Sequence, residues 1–162
     1  MRPAEMAGDA SPVIDATLHA FQWLEKNESY FPMFGMLLQP TSPLRTAGDI
    51  QKAVALAVER DADAVVGVTE ADRHPYLMKK IDGQGRLSPF MDTPLSESRR
   101  QDLPPVYAIN GAIYLVKRTV LQEQRSWCPA GALAYVMPAE RSLDVDTPWD
   151  LKLADLILGG KP

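Results

Sequence analysis

Residues 34–68 constrain the fold more than any other stretch of the chain. Phe34-Gly35-Met36-Leu37-Leu38 is a continuous apolar run, ended by Gln39-Pro40. A run with no polar face predicts a strand covered on both sides, as in a parallel sheet. Thr46 and Asp49 then stand at capping-box spacing, where each side chain takes the other's backbone N–H at the start of a helix. Ile50, Val54, Ala57 and Val58 continue as a helical stripe, and Ala64-Val65-Val66-Gly67-Val68 predicts a second buried strand. Strand, helix and strand in that order form the unit of an α/β protein with a mostly parallel sheet.

The remaining segments fit around that unit. Asp9 or Ser11 is placed to cap a first helix, with Pro12 in its early turn and Ile14, Leu18 and Phe21 on one face. Over 76–92 the alternation of strand and helix lapses. Two short apolar stretches flank Asp82-Gly83-Gln84-Gly85, the composition of a hairpin turn. Residues 108–116 read as a strand interrupted by Gly111, the mark of a bulge or a close backbone approach. A further strand is expected at 132–137 and a last helix at 147–158, with Pro148 near its start and Gly159 just past its end. The length of 162 residues suits one domain around one core.

Charge and composition remove several function classes. The net charge is −4 and no basic run occurs, whereas a nucleic-acid groove needs a stripe of Lys and Arg against phosphates. Cys128 is the sole cysteine and His19 and His74 the only histidines, so neither an internal disulfide nor a Cys/His zinc site is expected. No apolar stretch approaches the roughly 20 residues that span a bilayer. The opening MRPAEMAGDA lacks the apolar centre of a signal peptide. A cytoplasmic protein without membrane contact is expected.

Three polar clusters stand where apolar runs end, the place where ligands bind in α/β sheets. The first, 39–45, offers Gln39, Thr41, Ser42 and Arg45, and reads equally as a ligand loop or as an ordinary strand–helix connection. The second is Ser98-Arg99-Arg100-Gln101-Asp102, followed by Tyr107 and Asn110. An arginine fork suits a carboxylate or a phosphate, although a surface pair is often only solvated. The third is Leu143-Asp144-Val145-Asp146-Thr147-Pro148. In an extended segment Asp144 and Asp146 point to one side, and paired carboxylates call for a cation. Oxygen donors of this kind suit Mg²⁺. Asp146 could also serve as the N-cap of the last helix.

Together these segments resemble the CMP-sialic acid synthetases, or acylneuraminate cytidylyltransferases. The resemblance rests on LLQPTSPLR at 37–45, VT at 68–69 with HP at 74–75, RRQDLP at 99–104, NGAIY at 110–114 and LDVDTPWD at 143–150. Residues 2–9 resemble the family's opening RP..LA.D segment. The resemblance implies a Rossmann-like nucleotidyltransferase fold that transfers CMP from CTP to an acidic nine-carbon sugar, with Mg²⁺, and releases pyrophosphate. It implies that Gln39 and Arg45 line the cleft; Thr41, Ser42, Tyr107 and Asn110, from the same polar clusters, are expected to bind substrate with them. Arg100 would meet the sugar carboxylate, Lys79 or Lys80 would add positive charge, and Asp144 and Asp146 would hold Mg²⁺. Asp144, Asp146 and Arg100 are thus the expected catalytic set.

The resemblance also implies that 75–115 is an inserted dimerisation arm in a single domain spanning 1–162, and that the protein is a homodimer. Ala108 stands where some sialic acid enzymes carry arginine, which admits legionaminic or pseudaminic acid as the sugar. The family's first strand and basic glycine loop do not occur in this sequence. A truncated member is therefore expected, with a non-catalytic remnant that dimerises without binding CTP as the alternative. The KDO cytidylyltransferases share the fold but fit LLQPTSPLR and RRQDLP less well.

Overall fold

A computed structural model describes residues 3, 6–8 and 11–159. The expected cap Asp9, and Arg2 of the opening segment, lie outside the described residues. The first helix, α1, spans Val13–Glu28 with Pro12 in the N-cap position, one residue later than Ser11. β1 (Phe34–Leu37), α2 (Ala47–Glu59) and β2 (Ala64–Glu70) follow, as the strand–helix–strand reading expects. Then come β3 (Lys79–Ile81), β4 (Leu87–Pro89), β5 (Tyr107–Lys117), α3 (Arg118–Gln124), β6 (Leu133–Val136) and α4 (Pro148–Gly159). Among the described residues no helix is long and apolar enough to cross a membrane.

The main sheet has the order β1-β5-β2-β6. β1, β2 and β6 share one direction, while β5 runs against them between β1 and β2. The expected mostly parallel sheet is thereby corrected to a mixed one, with β2–β6 as its parallel pair. The cause is the segment that precedes β5. The chain leaves the sheet after Glu70, makes an excursion, and returns with Tyr107 paired to Glu70. A strand that re-enters beside the point of departure has to run back along its neighbour.

Helices cover both faces. α2 packs on one side over Val65, Ile113, Leu115 and Met137. α1 and α3 pack on the other over Ala64 and Val116. Ala64 and Val65 of β2, and Leu115 and Val116 of β5, thus feed opposite cores, as strand alternation requires. Each fully buried Val, Leu or Ile contributes about 1.5–3 kcal/mol of transfer free energy to these layers.

Two local expectations change. β1 is an edge strand, so Gly35 is buried while Phe34, Met36 and Leu37 are half-buried and Leu38 is exposed. On α2 the core stripe is Asp49, Ala53 and Ala57, whereas Val54 and Val58 face solvent. Ala53 and Ala57 have almost no exposed surface. Small side chains let the helix axis approach the sheet, and that rotates the two valines outward.

The excursion carries the β3–β4 hairpin, a separate two-stranded sheet. Its turn is held by Asp82 Oδ1, which accepts the Gln84 and Arg86 amides at 2.9 Å each. From Tyr107 onward the chain lies in the main sheet, so only 75–106 of the segment drawn at 75–115 stands apart from it.

Candidate active site

The carboxyl ends of β1 and β2 and the first half of β5 converge on one edge of the sheet, where β5 is bulged. Val66 pairs with Tyr114, but Val68 pairs with Ile109. One residue of β2, Gly67, therefore stands against residues 110–113 of β5. Two glycines make this possible. A Cβ on Gly67 would lie 2.7 Å from Asn110 Oδ1. Gly111 has φ +70°, and a Cβ there would lie 2.8 Å from Gln39 Oε1, 2.9 Å from Asp144 Oδ2 and 3.2 Å from Ser42 Oγ. Three of the expected site residues thus surround the bare Cα of Gly111, in a conformation L side chains resist.

Buried hydrogen bonds hold this bulge. Asn110 is 3% exposed. Its Nδ2 donates to Ser142 Oγ at 3.0 Å and approaches Met137 Sδ at 3.3 Å, and its Oδ1 accepts the Ala112 amide at 3.1 Å. Ser42, 1% exposed, donates to the Asn110 carbonyl at 3.3 Å. Arg45 Nη1 donates to the Ala112 carbonyl at 2.6 Å and to the Gln39 carbonyl at 3.3 Å. Asn110 and Arg45, expected to line the cleft, form the framework of the bulge. Asn110 spends its amide donors on Ser142 and Met137, whereas Arg45 uses Nη1 alone and keeps the donors of Nε and Nη2.

The segment 138–146 crosses the bulge and delivers Asp144. Val145 N donates to the Thr41 carbonyl at 2.8 Å, and Ser142 Oγ donates to the Pro138 carbonyl at 2.9 Å. Asp144 is half-buried, and its Oδ1 is a buried oxygen with no hydrogen-bond partner. An unpartnered buried carboxylate oxygen is costly, and a cation satisfies it. Asp146 is exposed and is not the cap of α4. That role falls to Thr147, whose Oγ1 accepts the Asp150 amide at 3.3 Å while Asp150 Oδ2 accepts the Thr147 amide at 2.8 Å. The Asp146 carboxylate is left available beside Asp144 in sequence. Among the described residues no three His, Cys, Asp or Glu side chains gather as a metal cage.

Tyr114 extends the cluster. Burial and then the Asp144 charge push its phenol above the ordinary value, so at neutral pH it remains a donor.

Arg100 belongs to a different place. It lines an open cleft of about 600 Å³ at the root of the excursion, together with Asp72, His74, Lys79 and Phe90. Its Nη2 lies 3.5 Å from the Ala71 carbonyl, a weak contact. Lys79 faces Glu97 at 3.5 Å, and Lys80 stands 5.4 Å from the centre of the Phe90 ring. Tyr107 is half-exposed at the start of β5. His74, 5% exposed, closes the root of the excursion. Its Nδ1 accepts the Tyr76 amide at 3.2 Å and its Nε2 lies 3.1 Å from the Pro104 carbonyl, which requires the proton on Nε2.

The structure therefore joins Gln39, Ser42 and Asp144 in one cluster and Lys79 and Arg100 in another. Thr41 contributes its carbonyl to the first through Val145. The sequence reading missed Gly67, Tyr114, Ser142 and His74. Glycine inside an apolar run was the signal that could have found Gly67.

No family model matches the chain. It is 33% identical to the N-acylneuraminate cytidylyltransferase of Streptococcus agalactiae serotype V over 147 residues, 91% of this chain and 34% of the relative. It is 32% identical to the N-acylneuraminate cytidylyltransferase of Escherichia coli O18:K1:H7 over 155 residues, 95% of this chain and 35% of the relative. It is 28% identical to the CMP-N,N'-diacetyllegionaminic acid synthase of Legionella pneumophila over 160 residues, 98% of this chain and 67% of that protein. The chain thus spans about a third of the length of the first two relatives. Matches of this kind along nearly the whole chain accord with a cluster built from the LLQPTSPLR, NGAIY and LDVDTP segments: the chain is similar to N-acylneuraminate cytidylyltransferases and to a CMP-N,N'-diacetyllegionaminic acid synthase.

Proposed function

We propose that this protein transfers CMP from CTP to an acidic nine-carbon sugar, sialic acid or a legionaminic or pseudaminic relative, with release of pyrophosphate. The observation that carries the reading is the unpartnered Asp144 Oδ1 beside Gln39, Ser42 and the bare Cα of Gly111. The names of the relatives support sialic and legionaminic acids.

In this reaction the anomeric hydroxyl of the sugar attacks the α-phosphorus of CTP and pyrophosphate leaves. Such transfer depends on positioning and on neutralising charge at the phosphate oxygens. Asp144 and Asp146 would hold Mg²⁺, whose few protein carboxylates are completed by waters and substrate phosphates. When bound it would supply Lewis acidity and a template for the phosphate. Gly111, lacking a side chain, lets Gln39, Ser42 and Asp144 close in over its Cα. The Gln39 amide, close to the Gly111 Cα, would orient a substrate group at the cluster, and the Tyr114 phenol would donate a hydrogen bond to it. Arg100 and Lys79 would meet the sugar carboxylate in the neighbouring cleft, where a fork and a point charge act together.

The excursion at 75–106 would serve as a homodimer arm. Ile81 and Leu87, register partners in its hairpin, are 72% and 68% exposed. A paired apolar patch on a small hairpin calls for a cover.

The test is pyrophosphate release from CTP with Mg²⁺ across N-acetylneuraminic, legionaminic and pseudaminic acids. Release that requires one of these sugars is the expected result and names the substrate. Binding of metal without release from any of them would assign the chain a non-catalytic role.

A further inference from the structure

Away from the substrate-facing side chains, one buried ion pair links the base of the Asp144 segment to the start of α2. Asp49 is 1% exposed. Arg141 Nη2 and Nε donate to its two oxygens at 2.9 and 3.0 Å, a two-pronged fork, and Tyr135 Oη donates to Oδ1 at 3.1 Å. The same carboxylate takes the Thr46 amide at 2.9 Å and completes the capping box of α2. Arg141 ends the short turn Ala139–Arg141, and Ser142, Leu143 and Asp144 follow directly. Beyond that turn the segment has no regular secondary structure up to Thr147.

Three ties therefore fix where Asp144 stands. Val145 to Thr41 and Ser142 to Asn110 hold it from the bulge side. Arg141 to Asp49 holds it from the helix side. The first two are single neutral hydrogen bonds, whereas the third is charged, paired and buried on the acceptor side, so it is the stiffest of the three. Burial alone would push the Asp49 carboxyl up, but the hydrogen bonds from Arg141, Thr46 and Tyr135 outweigh it and hold it far below the usual carboxylate range. The pair is therefore ionised at neutral pH.

We propose that Asp49 and Arg141 are positioning residues for the Asp144 carboxylate, setting the segment that presents it to a divalent cation. The inference rests on the reading of Asp144 as a cation ligand. Outer partners that orient a metal ligand change metal affinity by about tenfold to a hundredfold when lost.

The experiment measures Mn²⁺ binding to the purified chain by calorimetry, with amide hydrogen exchange at Val145 read in parallel. Arg141→Ala is expected to weaken Mn²⁺ by about tenfold and to speed exchange at Val145, while Arg141→Lys, which keeps charge and loses the fork, recovers part of both. Tyr135→Phe removes another partner of Asp49 without touching the fork, and should leave Mn²⁺ affinity within about twofold. Asp144→Asn sets the reference for loss of the site. Unchanged Mn²⁺ affinity in Arg141→Ala, with Asp144→Asn still abolishing binding, would overturn the positioning role and leave the site reading intact. Equal weakening by Tyr135→Phe would overturn it too, by reducing the effect to lost stability. Mn²⁺ binding unaffected by Asp144→Asn would instead sink the site reading, and the positioning role with it. If Arg141→Ala does not fold, Arg141→Lys and Asp49→Asn carry the same comparison.

Discussion

The bulge and the cleft at the root of the excursion take their polar groups from adjacent parts of the chain but are built in opposite ways. At the bulge, Ser42 and Asn110 are almost wholly buried, and their hydrogen bonds reach across β5 and the 138–146 segment. In the cleft, Arg100 and Lys79 are exposed, and the Lys79–Glu97 pair is 31% and 88% exposed on its two side chains. Pairs of that exposure contribute about 0–1 kcal/mol and hold no fixed geometry. Charge development at phosphorus requires groups already in place, because reorganisation at the moment of reaction raises the barrier. A carboxylate on a bound sugar tolerates a looser grip. The rigid half suits chemistry and the loose half suits recognition.

That division can be broken experimentally, most severely at Asp144. Asp144→Asn should lower turnover by about a thousandfold and abolish its dependence on Mg²⁺, with little change in melting temperature. A residual rate that still titrates with Mg²⁺ would place the metal elsewhere. Gly111→Ala tests the bulge itself. The φ of +70° costs a Cβ residue about 1 kcal/mol, and the new methyl would push Gln39 and Asp144 apart. Turnover should fall by about a hundredfold, since displacements near 1 Å are enough for that. Steady-state kinetics at saturating substrate would read both.

Asp49→Ala sharpens the comparison from the stability side. Losing the capping box and the buried acceptor should cost about 2–4 kcal/mol in urea unfolding. The pH profile carries a sign. Asp49 is depressed on folding, so its contribution is full above the ordinary carboxylate range, near pH 4, and fades as pH falls toward the folded value. The native protein should therefore lose stability as pH falls below about 4, and Asp49→Asn should flatten that slope.

The cleft should give smaller effects. Arg100→Ala is expected to raise KM for the sugar by about tenfold with kcat nearly unchanged, the pattern for a lost charged hydrogen bond at an exposed site. An unchanged KM would place the sugar carboxylate away from the arm. Ile81→Ser with Leu87→Ser should leave the melting temperature almost unaltered and shift the protein to monomer in size-exclusion chromatography. A dimer that persists would place the interface on another face.

Much of the secondary structure was legible because it rests on local signals. The Thr46–Asp49 box, the Asp82 turn and the Gly111 interruption each depend on residues within a few positions of one another. Strand direction does not leave such a trace. The apolar run of β5 reads the same in either direction, and only the out-and-back excursion before it makes β5 antiparallel. Burial of polar groups was hidden for a similar reason. Arg45 and Asn110 carry the residue types of a ligand site, yet their partners, Ala112 and Ser142, are 67 and 32 positions away. The fork from Arg141 to Asp49 bridges 92 positions, and nothing in the sequence between them announces it. Thr147 took the cap of α4 because a threonine followed three residues later by an acid forms a reciprocal box, which outcompetes the single cap Asp146 could offer.

The closure at the root of the excursion bears on how such a chain can change over generations. The Ala71 amide meets the Val106 carbonyl at 2.9 Å, and His74 links Tyr76 to Pro104 just outside it. The sheet therefore meets the same two anchor points whatever lies between them. Doubling the length of a loop already closed at its base costs only about 0.6 kcal/mol. Segments grafted at the Gly83–Gly85 tip would leave the bulge and its carboxylate undisturbed. The tip can therefore vary while the groups at the base keep their places.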